Sequence, residues 1–294
     1  LSYIPCASEH GMPVCDANKL EFIRTKVCKL TGSRCSDAFP ISQPESFRKS
    51  IVQTIMTGNF CAALKTDGVR SMLLMTMYEN CPIAVLIDRK MDCREIEVWA
   101  PRGYFDDTLY DGEIVTEESE TVDRIDVFLT FDMYVNQGTS MLLDDYTTRI
   151  DSMNKSILET TSSENIECSV AEMNKVYIPS LTGLVIRPKC ILPVSEVRSV
   201  WTRRLNTPHL NDGIIFTPNT TVMATTRVYK WKPLHTIDVH IFKDDTKPYI
   251  SQSNQLVPQL TINDRQKVYH LDEVRTNILV KSYFEKNIDK EFVI

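Results

Sequence analysis

The spacing of hydrophobic and polar residues changes along the chain, and this change separates helical from extended regions. Apolar residues recur at helical spacing in residues 18–29, which Gly32 closes, and again in residues 47–55. From Phe60 onward, short apolar runs alternate with polar turns, as in strands. The sequence therefore predicts two N-terminal helices followed by a largely extended region.

The extended region is predicted to contain a succession of strands. Asp67-Gly68 is the strongest short hairpin signal, and it predicts that the strands on either side of it pair with each other. Helices are predicted at residues 144–159 and 194–205. The predicted strands are residues 60–65, 69–78, 83–89, 95–100, 108–115, 124–135, 183–192, 212–218 and 227–233. Antiparallel strands with interspersed helices are typical of α+β architecture.

The C-terminal residues after Phe242 have the pattern of short strands and polar turns, with a helix-like segment at residues 270–280. We interpret them as the opening strands of a small β-barrel that ends before closing. The sequence thus predicts two domains, residues 1–240 and 241–294, of which the second is incomplete. Because the chain begins with Leu1 rather than Met, we expect it to be a fragment of a longer protein.

Composition narrows the class of protein. The chain has 294 residues, of which 43% are hydrophobic and 24% charged, as in globular proteins. No apolar run approaches the roughly 18 residues needed to cross a bilayer, and the start lacks the order of a signal peptide. We therefore expect a soluble, intracellular protein without a membrane partner. The nine cysteines are irregularly spaced and match no common zinc pattern, which favours buried thiols in a reducing compartment.

The charge is unevenly distributed. The formal net charge of −6 does not attract polyanions as a basic nucleic-acid binder would. Residues 184–235, however, contain eight lysines and arginines, and their only acidic residues are Glu196 and Asp212. This basic half of a mildly acidic protein is suited to binding phosphates.

One lysine stands out by its position. Lys65 ends the apolar run C-A-A-L-K, and lysine is costly to desolvate unless it is paired. Taken alone, the hexapeptide K-T-D-G-V-R favours a hairpin turn beside a lysine whose ammonium reaches solvent. If cations lay nearby, the same lysine would lose its proton readily and act as a nucleophile.

Several motifs accompany this lysine in a fixed order along the chain. They are F-P-I-S-Q-P (39–44), K-T-D-G-V-R (65–70), L-I-D-R (86–89), Y-D-G-E-I-V (110–115), L-T-F-D-M-Y (129–134), N-D-G-I-I-F-T-P (211–218) and Y-K-W-K-P-L-H-T-I-D (229–238). Over residues 28–242 the sequence strongly resembles the GTP:RNA guanylyltransferases, which are the messenger-RNA capping enzymes. These belong to the covalent nucleotidyltransferase superfamily that includes DNA and RNA ligases. The K-W-K-P and F-P-x-S-Q-P motifs are similar to those of capping enzymes rather than ligases.

The resemblance implies a fold and a catalytic centre. The fold is a nucleotidyltransferase domain, ATP-grasp-like as in ligases and capping enzymes, of antiparallel sheets with helices, followed by a partial OB-fold β-barrel. Lys65 is predicted to be the nucleophile that forms a lysyl-N-GMP intermediate. Lys230 and Lys232 alternate on one strand and so share a face. Their charge would favour loss of the Lys65 proton and would stabilise the transferring phosphate.

The resemblance also implies roles for residues around the nucleotide. Asp212 and Glu113 suit a hard divalent cation, Mg²⁺ or Mn²⁺, with Asp212 the better metal ligand and Glu113 rather a ribose contact. The other predicted contacts are Arg70 and Arg89 for ribose and phosphate, Phe131 for stacking on guanine, and Lys189 for guanine O6. Their plainer alternatives are turn carboxylates, solvated arginines at strand ends and a core phenylalanine.

The implied reaction transfers GMP from GTP to the 5′-diphosphate end of RNA, which forms the cap. Further partners implied by the resemblance are an RNA triphosphatase, a cap methyltransferase or RNA polymerase. The implied location is the nucleus for a cellular protein, and the cytoplasm, viral factory or virion for a large DNA virus. Two alternatives stay open: an ATP-dependent RNA or DNA ligase, and a catalytically idle nucleotide-binding subunit.

One motif of capping enzymes, an Arg-x-Asp-Lys run in the OB-fold, is missing from residues 269–294. In the family this run engages the β- and γ-phosphates during the first step. We therefore expect this chain to bind GTP but to label itself poorly.

Overall fold

The computed structural model describes most of the chain up to Pro233. Its described residues are 10–33, 38–98, 100–119, 122–161, 178–179, 184–222 and 226–233, with the short strands 240–241, 249–250, 256–257, 260–261 and 292–293. The chain divides into two compact units, Leu1–Pro233 and Leu234–Ile294. Apart from these short strands, the predicted partial OB-fold of residues 241–294 lies outside the described residues, and so does the predicted helix at residues 270–280.

The first unit mixes helices and strands. Its described helices are α1 (Ala17–Thr31), α2 (Val52–Thr57), α3 (Tyr146–Thr161) and α4 (Val197–Arg203), and single 3₁₀ turns extend α2 at its start and α4 at both ends. Its described strands are β1 (Met12–Pro13), β2 (Glu45–Ser46), β3 (Phe60–Thr66), β4 (Val69–Tyr78), β5 (Cys81–Asp88), β6 (Cys93–Ile96), β7 (Thr108–Ser119), β8 (Val122–Asn136), β9 (Thr139–Ser140), β10 (Ile178–Pro179), β11 (Leu184–Pro188), β12 (Ile191–Pro193), β13 (Asn211–Pro218) and β14 (Tyr229–Trp231). No helix in this described part is long and apolar enough to cross a membrane.

These strands form two sheets. The larger has the order β1-β6-β5-β4-β7-β8-β11-β10, with β9 added to β8, and the smaller has the order β12-β3-β13-β14-β2. The pairs are antiparallel except β8 with β11 and β14 with β2, which are parallel. A parallel pair needs a long connection, and the chain between β8 and β11 passes through α3. The predicted α+β class is confirmed, with these two parallel pairs as an addition.

Helices cover both faces of the larger sheet, which explains the continuous apolar run of β4. Alternate side chains of a strand point to opposite faces. Met72 and Leu74 of β4 pack in one cluster with Ile23 and Val27 of α1. The next residue along β4, Leu73, packs in a second cluster that includes the apolar side chains of α3. A third cluster joins the smaller sheet to α2 and α4.

The ends of α1 are fixed by local chemistry that the sequence already shows. The side chain of Asp16 accepts a hydrogen bond from the backbone N–H of Lys19 at the helix start. Gly32 ends the helix with φ +70°, a left-handed conformation that favours glycine. The predicted helix at residues 18–29 is therefore confirmed, one or two residues longer at each end.

The predicted hairpin at Asp67-Gly68 is wrong, because β3 and β4 lie in different sheets. Left-handed glycines of the described residues are Gly11, Gly32 and Gly138, so Gly68 does not form the hairpin turn of that class. The backbone N–H of Asp67 instead donates to the carbonyl of Leu210 at 3.0 Å. A Cβ on Gly68 would lie 2.3 Å from the carbonyl oxygen of Ile114, so glycine here permits a close crossing between the sheets.

The single strand predicted at residues 183–192 is also wrong. The structure has two strands there, β11 in the larger sheet beside β8 and β12 in the smaller sheet beside β3. Lys189 and Cys190 carry the chain from one sheet to the other. Both strands contain consecutive apolar residues with only a short polar stretch between them, so the pattern alone does not reveal the break.

Candidate active site

Lys65 lies near the end of β3 and is bound to a carboxylate from β13. Its Nζ is 2.6 Å from Oδ1 of Asp212, and Nζ of Lys232 is 2.6 Å from Oδ2 of the same residue. One carboxylate therefore holds two ammonium groups from different strands. The Lys65 side chain is one-fifth exposed, so it is accessible to a small ligand.

Asp212 reaches both lysines because β13 is irregular at this point. The pairing of β13 with β3 passes from Asn211 opposite Thr66 to Gly213 opposite Lys65, which leaves Asp212 as an extra residue. Such a bulge redirects a side chain relative to a regular strand. It places the Asp212 carboxylate next to the amine of Lys65.

Gly213 brings β14 close to the bulge. A Cβ at this position would lie 1.9 Å from the carbonyl oxygen of Trp231, so another residue would push the two strands apart. Lys232 follows Trp231 directly and depends on this close approach for its contact with Asp212. In the D-G pair that sequence analysis singled out, Asp212 therefore binds the two lysines, and Gly213 allows β14 to approach closely.

The charge on Asp212 is stabilised by its partners. Burial would raise the pKa of the Asp212 carboxyl, but hydrogen bonds from Lys232 and Lys65 hold it below the usual range. The carboxylate is therefore ionised at neutral pH and carries one negative charge between two positive ones.

Lys230 lies on the same face of the smaller sheet as Lys65. In the strand register Ile215 faces both Lys230 and Ala63, and Ala63 alternates with Lys65. Lys230 makes no ion pair with a described residue, whereas Lys232 is joined to Lys65 through Asp212. The sequence predicted that Lys230 and Lys232 lie near Lys65, but it did not predict that the carboxylate of Asp212 lies between Lys232 and Lys65. Their effect on the proton of Lys65 stays a prediction.

Lys189 lies beside the residue that follows Lys65. Its Nζ donates to the hydroxyl of Thr66 at 2.7 Å, and that hydroxyl donates to the carboxylate of Glu113. Lys189 Nζ is also 3.6 Å from Glu113 Oε2. Burial lowers the pKa of Lys189, with Glu113 opposing the shift and Lys65 adding to it. The structure thus brings Lys65, Glu113 and Lys189 together through Thr66.

Phe131 lies between two cations. The ring centroid is 5.7 Å from Nζ of Lys189 and 5.5 Å from Cζ of Arg70. The guanidinium of Arg70 is also 5.3 Å from the ring of Phe39, in the F-P-I-S-Q-P segment. Phe131 is partly exposed, so it is placed beside Lys189 and is not sealed in the core.

Arg70 is buried and held by a carboxylate. Its Nε and Nη2 donate to the two oxygens of Asp111 at 3.1 and 2.7 Å, and its Nη1 donates to the carbonyl of Ser42 at 3.0 Å. Burial would lower the pKa of Arg70, but Asp111 outweighs it and raises that pKa. Arg89 is placed differently: it is exposed in the turn after β5 and has no hydrogen bond or ion pair to the described residues.

Sequence reasoning missed several residues of this region. Thr66 and Asp111 stand inside the quoted motifs K-T-D-G and Y-D-G-E without having been assigned a role. A further buried cluster joins Glu117 to Arg187 and to His209, whose Nδ1 is 3.0 Å from Glu117 Oε1. The alternation of Arg187 with Lys189 was a usable signal, whereas nothing in the sequence pairs Glu117 with His209.

The Glu117 cluster lines a cavity of about 700 Å³ that also reaches Lys189. Leu64, Leu129 and Val200 supply apolar walls. Burial would raise the pKa of Glu117, but hydrogen bonds from His209 and Arg187 lower it below its ordinary value of 4.5. The folded state thus favours the ionised carboxylate.

This shift predicts a pH dependence of stability. The ordinary pKa of a glutamate side chain is 4.5. As the pH falls through this value, Glu117 takes up a proton in the unfolded chain before it does so in the folded one. The free energy of unfolding should therefore fall as the pH drops from that value through the folded pKa. Urea unfolding at pH 7 and at about pH 4 measures this fall. Between these two pH values, Glu117→Gln should lose less free energy of unfolding than the wild type. The exposed Glu45→Gln serves as control, and an unchanged pH dependence in Glu117→Gln would contradict the assignment.

The carboxylates near Lys65 fit a divalent cation only in part. Asp212 and Glu113 supply the oxygen ligands that Mg²⁺ and Mn²⁺ prefer. Among the described residues, however, no group of three or more His, Cys, Asp or Glu is arranged to hold a metal ion. A cation here would take most of its ligands from phosphates and water, as Mg²⁺ commonly does.

A half-buried lysine that shares a carboxylate with a second lysine, beside a buried third one, suits the class of enzymes that transfer nucleotides through a lysine. Comparison with known families agrees. Residues 10–234 match the model of the mRNA capping enzyme, catalytic domain. The chain belongs to this family, as the motifs around Lys65 predicted.

Curated relatives carry the same description. The mRNA-capping enzyme subunit alpha of Schizosaccharomyces pombe is 32% identical over 249 residues, which cover 77% of this chain and 58% of that protein. The mRNA-capping enzyme subunit alpha of Kluyveromyces lactis is 24% identical and covers 86% of this chain and 56% of its own length. The chain thus spans somewhat more than half the length of these relatives.

Solved structures give weaker matches. A mycobacterial DNA ligase D complexed with ATP and MES has a TM-score of 0.41 at 15% identity, covering 68% of this chain and 62% of the other. The ATP-dependent DNA ligase of bacteriophage T7 has a TM-score of 0.40 at 11% identity, covering 74% and 79%. Likeness at this level carries no functional argument.

Proposed function

We propose that this chain is the guanylyltransferase part of an mRNA capping enzyme, with Lys65 as the nucleophile. The observation that carries the proposal is the arrangement of Lys65, Asp212 and Lys232, found within a domain of the capping enzyme family. The relatives are named for mRNA capping, which supports GTP and RNA as substrates.

The first step forms a bond between Lys65 and GMP. The ammonium of Lys65 releases a proton to solvent, the lone pair of the resulting amine attacks the α-phosphorus of GTP, and the nitrogen then loses a second proton. The bond from that phosphorus to the bridging oxygen breaks, and pyrophosphate leaves with the electron pair. In the second step, a terminal oxygen of the 5′-diphosphate RNA attacks the same phosphorus. The N–P bond then breaks as the nitrogen takes up a proton, the freed amine of Lys65 takes up a second one, and the RNA carries the cap.

The surrounding residues supply charge and orientation. Lys232 and Lys230 would stabilise the negative charge that builds on the α-phosphate. Asp212 holds Lys65 and Lys232 in place in the free enzyme. Once a phosphate binds, Lys232 can exchange this carboxylate for phosphate oxygens without leaving the site.

The remaining contacts are assigned to the nucleoside. We propose that Lys189 reads guanine O6 and that Phe131 stacks on the base. Both lie together, because the Lys189 ammonium is 5.7 Å from the Phe131 ring centroid. Glu113 is assigned to the ribose, and Arg70 and Arg89 to ribose and phosphate, although Arg89 has to leave its exposed position to do so.

We propose that Asp212, with Glu113 nearby, would hold Mg²⁺ or Mn²⁺ when the nucleotide is bound. The cation would neutralise charge on the phosphate oxygens and so favour departure of pyrophosphate. Asp212 suits this role because its carboxylate is ionised at neutral pH.

The setting of the reaction is proposed from the relatives. Their name, subunit alpha, suggests a companion subunit, for which an RNA triphosphatase is our first candidate, with a cap methyltransferase or RNA polymerase as further contacts. The relatives are fungal proteins, so we propose action in the nucleus rather than in a viral compartment. An OB-fold in residues 241–294 completes the proposal.

The nucleotide that labels the protein tests this function. Prolonged incubation with GTP labelled at the α-phosphate should give a covalent adduct that is stable to alkali and cleaved by acid, as expected of a phosphoramidate. ATP labelled in the same way should give none. An adduct formed only with ATP would point to a ligase, and no adduct with either nucleotide at any metal concentration would point to an idle nucleotide-binding subunit.

A further inference from the structure

A small hollow on the surface of α4 has an unusual concentration of hydrogen-bond donors. Its volume is about 370 Å³, and it is lined by Arg198, Ser199, Thr202, Arg203 and Asn206. Each of these side chains is polar and exposed. The hollow therefore offers guanidinium, hydroxyl and amide groups to a ligand, and no apolar residue lines it.

The two arginines of the hollow have no carboxylate partner. Neither Arg198 nor Arg203 forms an ion pair with a residue of the described ranges, in contrast to the buried arginines of the larger sheet. The protein as a whole has a net charge of −6. Two exposed, unneutralised arginines on one short helix of such a protein are a local site of positive potential.

The hollow adjoins the cavity that is lined by Glu117 and Lys189. Arg203 and Asn206 line both spaces. The cavity in turn reaches Lys189, whose ammonium is 2.7 Å from the hydroxyl of Thr66, the residue after Lys65. A chain lying over α4 therefore lies beside the cavity that is lined by Lys189.

We propose that this hollow binds the sugar–phosphate backbone of the acceptor RNA, some nucleotides downstream of the end that receives GMP. Arg198 and Arg203 contact phosphates, while Ser199 and Asn206 contact phosphate or ribose oxygens. Such contacts hold a strand in position without reading its sequence. The proposal rests on the proposed function for the identity of the ligand as RNA, and it adds a site that the nucleotide-transfer chemistry does not require.

RNA fits this hollow better than a protein partner does. Protein interfaces depend on apolar or aromatic anchors that fill pockets, and no apolar or aromatic residue lines this hollow. Arginine with hydroxyl and amide donors is the set that binds nucleic-acid backbones. A phosphorylated peptide is the competing ligand, and it can be tested directly.

The test measures RNA binding apart from catalysis. Fluorescence anisotropy with a labelled single-stranded RNA of about 20 nucleotides should show roughly tenfold weaker binding for Arg198→Ala/Arg203→Ala than for the wild type. The slope of log affinity against log salt should decrease by about 1.4, since each phosphate contact on a single strand contributes about 0.7. The charge-retaining Arg198→Lys/Arg203→Lys should recover most of both quantities.

A matched control removes the same charge elsewhere. Arg48 and Arg102 are exposed and line neither the hollow nor the cavity, so Arg48→Ala/Arg102→Ala should bind RNA within about twofold of the wild type with an unchanged salt slope. Equal losses in both double variants would overturn the proposal, because net charge alone would then explain binding. So would an Arg198→Ala/Arg203→Ala protein that loses affinity for a phosphorylated peptide and keeps its affinity for RNA.

Failure of this site and failure of the proposed function give different results. Labelling of Lys65 by GTP needs no RNA, so Arg198→Ala/Arg203→Ala should label like the wild type but transfer GMP with a raised KM for a long RNA. Transfer to an RNA of about three nucleotides should be less affected than transfer to a long RNA, because a short RNA offers fewer phosphates to the two arginines. Absence of labelling in the wild type would remove the proposed function, while the anisotropy measurement would still decide whether α4 binds RNA.

Discussion

Replacing Lys65 with alanine is expected to abolish covalent labelling by GTP. The amine supplies the electron pair that forms the N–P bond, and the nearest other amine on the same carboxylate, that of Lys232, starts from a different strand. The fold should persist, because Asp212 keeps Lys232 as a partner and Lys65 is partly exposed. Loss of such an ion pair costs about 1 kcal/mol or less. Labelling with α-phosphate-labelled GTP, followed by denaturing electrophoresis, measures the effect.

Two further variants separate chemistry from charge. Lys65→Arg keeps a cation beside Asp212 but replaces the amine by a guanidinium that stays protonated, so it should also fail to label. Lys90→Ala removes a lysine from the exposed turn after β5 and should label normally. Persistent labelling of Lys65→Ala, with circular dichroism like that of the wild type, would contradict the assignment of the nucleophile.

Local patterns predicted the elements that carry the site. The spacing of apolar residues placed β3 and β4 almost to the residue, because both strands are buried along most of their length. Gly32 marked the end of α1 because capping chemistry is local. The motifs around Lys65, Glu113, Asp212 and the Lys230–Lys232 pair identified the family, since their order along the chain is itself a strong signal.

The links between distant residues were not predictable in this way. Lys65 and Asp212 are 147 positions apart, and their contact depends on a bulge that no local pattern reveals. The same holds for Glu117 and His209, 92 positions apart. Asp67-Gly68 misled because the residues that form a tight hairpin also permit a close crossing between sheets. Local sequence patterns indicate where a strand forms, but which strand it pairs with depends on tertiary contacts.

Loss of the Asp111 carboxylate is expected to have the largest effect on stability. Asp111 is fully buried, receives two hydrogen bonds from Arg70 and a third from the hydroxyl of Tyr134 at 2.9 Å. In Asp111→Ala the guanidinium of Arg70 stays buried without its counterion, which typically costs about 3–5 kcal/mol. Urea unfolding should show this loss as a lower midpoint with a similar slope.

The matched variants show whether the buried charge is the cause. Asp151→Ala removes an exposed carboxylate from α3 and should change the free energy of unfolding by less than about 0.5 kcal/mol. If the unpaired guanidinium is responsible, adding Arg70→Met to Asp111→Ala should recover part of the stability that Asp111→Ala alone loses. If the double variant instead loses as much free energy of unfolding as the two single variants lose together, the two residues act independently.

The same pair connects stability to nucleotide binding. Asp111 holds the Arg70 guanidinium beside Phe131, the residue proposed to stack on guanine. The distance from Cζ of Arg70 to the ring centroid of Phe131 is 5.5 Å. Freed from Asp111, Arg70 can turn away from the ring or crowd the space that a base would enter. Labelling of Asp111→Ala at a temperature where it is still folded should therefore require more GTP than labelling of the wild type. An equal GTP requirement would confine the role of Asp111 to stability, because the position of Arg70 would then have no bearing on the nucleotide.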